Sequence, residues 1–256
     1  MTVKNPHRSR LPYSAISTAV LLIAVAVARA LAQQTITSAR ADGAQTPLCI
    51  FSPSSQGCAP LAIISPGAGG TEKGHSSLAE GLRDRGWFIV VMGHKESGPA
   101  TLRHDIRNAG IHGGLKEIVT DRRLQRDRML DLRAALEWSE KQCHRPYKVL
   151  LGHSMGSDTV VFEAGAQNKL DVHGEDRFDA YVAISASGPG SIFTNDSWVH
   201  IRKPLFVLTG TRDKGLEGDW QWRASLRRHT AQLQVAGCGR WCYTFELRRH
   251  RFLGQD

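Results

Sequence analysis

The chain has 256 residues, 41% hydrophobic and 22% charged, proportions that suit one globular domain with a sizeable core and exclude a disordered chain or a coiled coil. Its formal charge of +9 falls to about +5 without residues 1–32, which hold Lys4, Arg8, Arg10 and Arg29 and no acid. That mild excess does not point to a nucleic-acid partner.

Residues 1–32 read as a secretory signal: a basic start, an apolar run over 15–28, and then Ala30-Leu31-Ala32, which meets the small-residue rule for cleavage. The run of 14 residues is shorter than the ~18 of a spanning helix, so we expect a cleaved signal and no membrane insertion afterwards. Arg8 and Arg10 are not adjacent, so there is no twin-arginine signal. The mature chain, 33–256, is expected to be a single domain in the periplasm or outside the cell. Five cysteines downstream of the signal suit an oxidising compartment. Cys49 and Cys58 flank a turn and are the expected local pair, while Cys143, Cys238 and Cys242 leave an odd thiol. No second close pair of Cys or His completes a zinc ligand set.

Along the mature chain, 33–46 is small and polar and reads as a loose start. The runs 48–51 and 61–65 read as strands of a hairpin around the Cys49 to Cys58 turn. The second feeds Pro66-Gly67-Ala68-Gly69-Gly70-Thr71. A phosphate-binding role for this loop is disfavoured, because Glu72-Lys73-Gly74 lacks the G-K-[ST] ending and Glu72 stands where a dinucleotide fingerprint needs glycine. A helix is expected over 76–85, ending at Gly86, and then an unbroken apolar strand over 87–92. Five glycines and a proline make 93–115 look irregular. The longest helical pattern covers 117–141, with Met129, Leu132 and Leu136 on one stripe and Arg122, Arg126 and Arg133 on a solvated face. Strands are expected over 147–151, 181–185, 205–209 and 242–247, with helices from Met155 to 166 and over 220–228. This alternation implies a mainly parallel sheet with helices on both faces, and ligands bound at the carboxyl ends of its strands.

At one such end stands Gly152-His153-Ser154-Met155-Gly156, the G-x-S-x-G arrangement of a nucleophile elbow. Gly152 and Gly156 permit a sharp strand-to-helix turn, Ser154 is held out as the nucleophile, and the Met155 N–H at the helix start faces a developing oxyanion. A serine needs a base and a group that orients that base. Asp213, just past strand 205–209, is the acid candidate; Asp196 is a weaker rival, and Glu217 and Asp219 fall too far into the next helix. For the base, His250 follows the last strand and is preferred to His229, which ends a helix that crosses back over the sheet. His153 reads as a packing residue pointing away from Ser154. His75, His94, His104 and His112 fall in loops near the mouth, each alone a solvent-exposed side chain.

The order Ser154, Asp213, His250 resembles the α/β-hydrolase superfamily. The Ser65-Pro66-Gly67-Ala68-Gly69-Gly70 loop, the elbow and the Trp241 to Phe252 ending look most like its dienelactone-hydrolase-like branch, related to platelet-activating-factor acetylhydrolases and cutinase-type polyester hydrolases. The resemblance implies an α/β-hydrolase fold, a second oxyanion N–H from Ala68, no metal and no cofactor. It also implies a small-molecule ester as the partner of an exported serine carboxylesterase. Many relatives carry His-Gly where Pro66-Gly67 stands. The alternative is a non-catalytic relative that keeps the elbow and serves as a periplasmic binding or scaffold protein.

Overall fold

The computed structural model describes residues 33–223, apart from Gln56, together with the strands 234–238 and 242–246. The elements are β1 (Gln33–Ala39), β2 (Gln45–Phe51), β3 (Leu61–Ser65), α1 (Ser76–Arg83), β4 (Phe88–Met92), α2 (Pro99–Thr120), α3 (Arg122–Gln142), β5 (Lys148–His153), α4 (Met155–Glu163), β6 (Ala180–Ile184), β7 (Leu205–Leu208), α5 (Trp220–Arg223), β8 (Gln234–Cys238) and β9 (Cys242–Glu246). Seven strands form one sheet in the order β1-β2-β4-β3-β5-β6-β7. From β4 through β7 every pairing is parallel, and β1 and β2 run antiparallel at the edge. The strands β8 and β9 make a separate antiparallel pair.

Unbroken apolar runs become parallel strands because both faces of the sheet are covered. Along β3, Leu61 and Ile63 join the layer that contains Leu132, Leu136 and Val160, whereas Ala62 and Ile64 join the opposite layer with Ala79. The strand β4 divides its side chains in the same way, Val90 with the first layer and Val91 with the second. Helix α4 is buried at every residue from Met155 to Glu163, so it has no amphipathic period for sequence patterning to detect.

Four expectations are corrected. The segment 33–46 is not loose, because β1 pairs along its full length with β2 and turns through Gly43 at a φ of 87°. Its polar sequence belongs to an edge strand with one solvated side. The strands β2 and β3 do not form a hairpin, since β4 lies between them. The glycine-rich 93–115 is not irregular: Pro99 opens α2, and its chain kinks at Gly110, where φ is 72°. A Cβ on Gly114 would meet the Asp105 carbonyl oxygen at 2.7 Å, so glycine lets the two arms of the kinked helix close up. Finally, Cys58 is bonded to Cys143, 85 residues away, and Cys49 is a buried free thiol. Strand β2 directs Cys49 into the layer with Ala62 and Val91, while Cys58 lies beyond the strand beside the end of α3. The arginines named on α3 do make a solvated face, with Arg126 3.3 Å from Asp171.

Candidate active site

The site begins where β5 runs into α4. Ser154 takes φ 55° and ψ −124°, a region that costs a non-glycine residue roughly 1–3 kcal/mol and persists only where the surroundings enforce it. They do so here by close packing. A Cβ on Gly152 would reach Val160 Cγ2 at 2.7 Å and lie nearer still to the Gly156 backbone. One on Gly156 would lie 2.7 Å from the Pro66 oxygen. The Ser154 N–H donates to the Ile184 carbonyl at 2.9 Å, which ties the turn to β6.

The glycine loop after β3 passes over this turn, and a Cβ on Gly67 would touch Ser154 Cβ at 3.1 Å. The loop is pinned on its far side, with the Gly69 N–H on the Ser97 carbonyl at 2.8 Å and the Gly70 N–H on the Gly67 carbonyl at 3.0 Å. Gly67 therefore lies directly against Ser154, and Met155 and Ser154 share the wall of one cavity. Among the described residues, no acceptor takes the Ala68 N–H.

Asp213 follows β7, at the same end of the sheet. Its Oδ2 accepts from Thr209 Oγ1 at 3.0 Å, and its Oδ1 lies 3.1 Å from Arg223 Nε. Arg223 also donates to the carbonyls of Ala186, at 3.1 Å, and of Ser185, after β6. It thereby ties the acid-bearing loop to the neighbouring strand end. A cavity of about 40 Å³ opens beside the serine, lined by Ser154, Met155, Ser185, Lys116, Trp222 and Arg223. Helix α2 supplies Lys116 to this wall, and His112 Nε2 contacts the Leu216 carbonyl at 3.0 Å.

The other candidates fall as follows. His250 and its rival His229 lie outside the described residues. Asp196 is exposed in a turn, and Asp219 caps α5 by accepting from the Gln221 N–H at 2.9 Å. Glu217, set aside from sequence, lines the cavity and accepts from the Ser191 N–H at 2.9 Å. His153 is exposed rather than buried in the core, and its ring lies edge-on to His75 at 5.5 Å. Partial burial holds the His153 imidazole below its ordinary pKa, an effect that the Asp213 charge opposes. His104 is exposed, but His94 is not: it is buried, and burial pushes it down to about 4.

Sequence reasoning missed the buried charges behind the site, Arg128, Asp131 and Asp158. Burial pushes the Asp158 carboxyl up to about 7, beside Ser187. No periodicity marks these positions, because a charge on an apolar stripe looks the same as one on its edge.

An elbow serine between a strand end and a buried helix, under a glycine loop, in a sheet ordered β1-β2-β4-β3-β5-β6-β7, decides the architecture. The chain has the α/β-hydrolase fold. Solved structures of that fold superpose on it. A cold-adapted esterase from an Arctic intertidal metagenomic library has a TM-score of 0.56 at 17% identity, over 81% of this chain and 84% of that one. A Klebsiella pneumoniae subsp. pneumoniae protein described as a dienelactone hydrolase reaches 0.60 at 17% identity, over 81% and 85%. A Xanthomonas campestris serine hydrolase described as lacking a lid gives 0.52 at 16%, over 80% and 83%. No family model and no curated protein matches the sequence.

Proposed function

We propose that the protein is an exported serine hydrolase, a carboxylesterase acting on short-chain or soluble esters through an acyl-enzyme. The observation that carries the reading is the strained Ser154 backbone, held at the carboxyl end of β5 by Gly152 and Gly156 beneath the glycine loop. In this mechanism Ser154 Oγ attacks the ester carbonyl carbon while His250 takes its proton. Asp213 orients the imidazole, and the N–H groups of Ala68 and Met155 receive the tetrahedral oxyanion. The alcohol leaves with the proton from His250, and water then releases the acid by the same steps in reverse. Each Asp213 oxygen keeps a lone pair for the imidazole beyond its contacts with Thr209 and Arg223. The chemistry requires no metal or organic cofactor.

Short or soluble esters fit a serine whose neighbouring cavity is walled by Lys116, Ser185, Trp222 and Arg223 rather than by a long apolar channel. Export is supported by the Cys58–Cys143 bridge together with the signal-like first 32 residues. No described helix is long and apolar enough to cross a membrane.

The test is labelling of Ser154 by a fluorophosphonate, which needs an activated serine, followed by rates on p-nitrophenyl esters of increasing acyl length. Labelling with fastest turnover on the shortest chains is expected. A folded, oxidised protein that does not label is the binding or scaffold relative, and a preference for long chains at an interface overturns the substrate reading.

A further inference from the structure

Behind the glycine loop lies a polar assembly that the proposed chemistry does not use. Arg128 sits on α3 with 1% of its surface exposed. Its guanidinium donates from Nε to Thr159 Oγ1 at 3.1 Å, from Nη1 to Ser97 Oγ at 2.8 Å, and from Nη2 to Ser65 Oγ at 3.0 Å and to the Pro66 carbonyl. These acceptors lie on the elements that build the site. Ser65 ends β3, Pro66 begins the loop, Thr159 is on α4, and the Ser97 carbonyl holds the Gly69 N–H. One rigid cation thus grips the loop on both sides of Gly67-Ala68 and joins it to the helix that starts at Met155.

The cation is itself braced. His94 Nδ1 lies 2.8 Å from Asp131 Oδ2, and His94 Nε2 lies 3.0 Å from Ser65 Oγ. With the Nδ1 proton on Asp131, Nε2 accepts the Ser65 hydroxyl, and the Ser65 oxygen remains free to accept from Arg128. Ser65, His94 and Asp131 follow the hydroxyl–imidazole–carboxylate order of a catalytic triad, yet all three are buried and the Arg128 cation lies against the serine oxygen. Burial and the Arg128 charge hold His94 down at about 4, so it stays neutral. Burying a cation costs several kcal/mol even after relaxation, and replacing a buried ion pair with apolar groups is often neutral or stabilising. Stability therefore gives little reason for a guanidinium here; geometry gives one.

We propose that Arg128, braced by Ser65, His94 and Asp131, is a positioning residue for the oxyanion hole. It fixes the Pro66-Gly67-Ala68 turn against α4 at the separation where the Ala68 and Met155 N–H groups converge on one oxygen. This rests on the serine-hydrolase reading of Ser154. Arg offers a planar fork that meets several fixed acceptors at once, whereas Lys carries the same charge as a single compact head.

The experiment compares the wild type with Arg128→Lys and Ser65→Ala, with active sites counted by fluorophosphonate titration. It reads kcat and KM on p-nitrophenyl acetate, binding of a trifluoromethyl ketone that forms a tetrahedral adduct, and thermal unfolding. Loss of a whole oxyanion donor costs about 100- to 1,000-fold in kcat, so a displaced donor in Arg128→Lys is expected to cost roughly 10- to 100-fold, with KM little changed. Ketone binding should weaken by a similar factor. Ser65→Ala removes one hydroxyl and should follow the same pattern with roughly a three- to tenfold loss; it decides the matter if Arg128→Lys does not fold. Variants that unfold at lower temperature but keep wild-type kcat per titrated site and wild-type ketone binding overturn the proposal. A rise in KM at constant kcat overturns it too. A wild type that neither labels at Ser154 nor turns over an ester overturns the hydrolase reading, and the proposal with it.

Discussion

Replacing Gly156 with alanine tests whether the elbow is held by close backbone contact. The added Cβ would sit 2.7 Å from both the Ser65 carbonyl carbon and the Pro66 oxygen, and nearer still to the Ser65 oxygen. Ordinary carbon contacts begin near ~3.5 Å, so α4 and the end of β3 must separate by about 1 Å or more. Both elements belong to the buried core, and overpacking of this kind costs about 1–3 kcal/mol or more. The catalytic effect should exceed the stability effect, because a shift of about 1 Å between serine and oxyanion donors can cost on the order of 100-fold in rate. The assay is kcat on a short p-nitrophenyl ester per folded molecule, with thermal unfolding measured in parallel. Gly81→Ala is the control. On α1 that Cβ meets nothing closer than Arg85 Nη1 at 3.7 Å, so the same change should stabilise the protein by roughly 0.5–1 kcal/mol. Wild-type rate and wild-type melting in Gly156→Ala would refute the account of the elbow.

Ser154→Ala and His250→Ala should each abolish nearly all turnover in folded protein, with the double variant little worse than either, while His229→Ala leaves the rate unchanged. Loss of activity in His229→Ala but not His250→Ala would reassign the base. Asp213→Asn should be milder but still large, because the imidazole loses its orienting charge; wild-type kcat would remove Asp213 from the triad. Cys143→Ser should cost about 2–5 kcal/mol through the opened 85-residue loop, whereas Cys49→Ser leaves the bridge intact; mass mapping showing Cys49 bonded to Cys58 would contradict this. The Asp158 carboxyl titrates near 7 when folded, above its ordinary value of 3.8, so the folded state holds the extra proton between these limits. Its contribution to stability is thus present at low pH and lost as pH rises through about 7. Melting temperature should fall more between pH 5 and pH 8 in the wild type than in Asp158→Asn, and parallel curves would count against a titrating Asp158.

The sequence by itself determined the strands β3, β4, β5, β6 and β7, the elbow and the loop. Each is a local signal: an apolar run long enough to be covered on both faces, or a glycine where no side chain has room. Gly152 is legible because its requirement is set by Gly156 and Val160 within the same turn, and the placement of residue 213 past a strand end because a polar turn directly follows an apolar run. Only the tertiary structure decided the rest. The polar segment 33–39 became an edge strand because β2 offered it unpaired backbone, and the glycines of α2 served a kinked helix because its second arm packs on the first. Cys58 found Cys143 across 85 residues, a choice made by where the strands end. Arg128, His94 and Asp131 come from α3 and the end of β4, and they meet Ser65 only when α3 lies on the sheet. In the sequence each is a polar residue suited to the surface. What makes them interior is that their partners, brought together from distant segments, satisfy one another's charges and hydrogen bonds away from water, and no pattern along the chain encodes that cancellation.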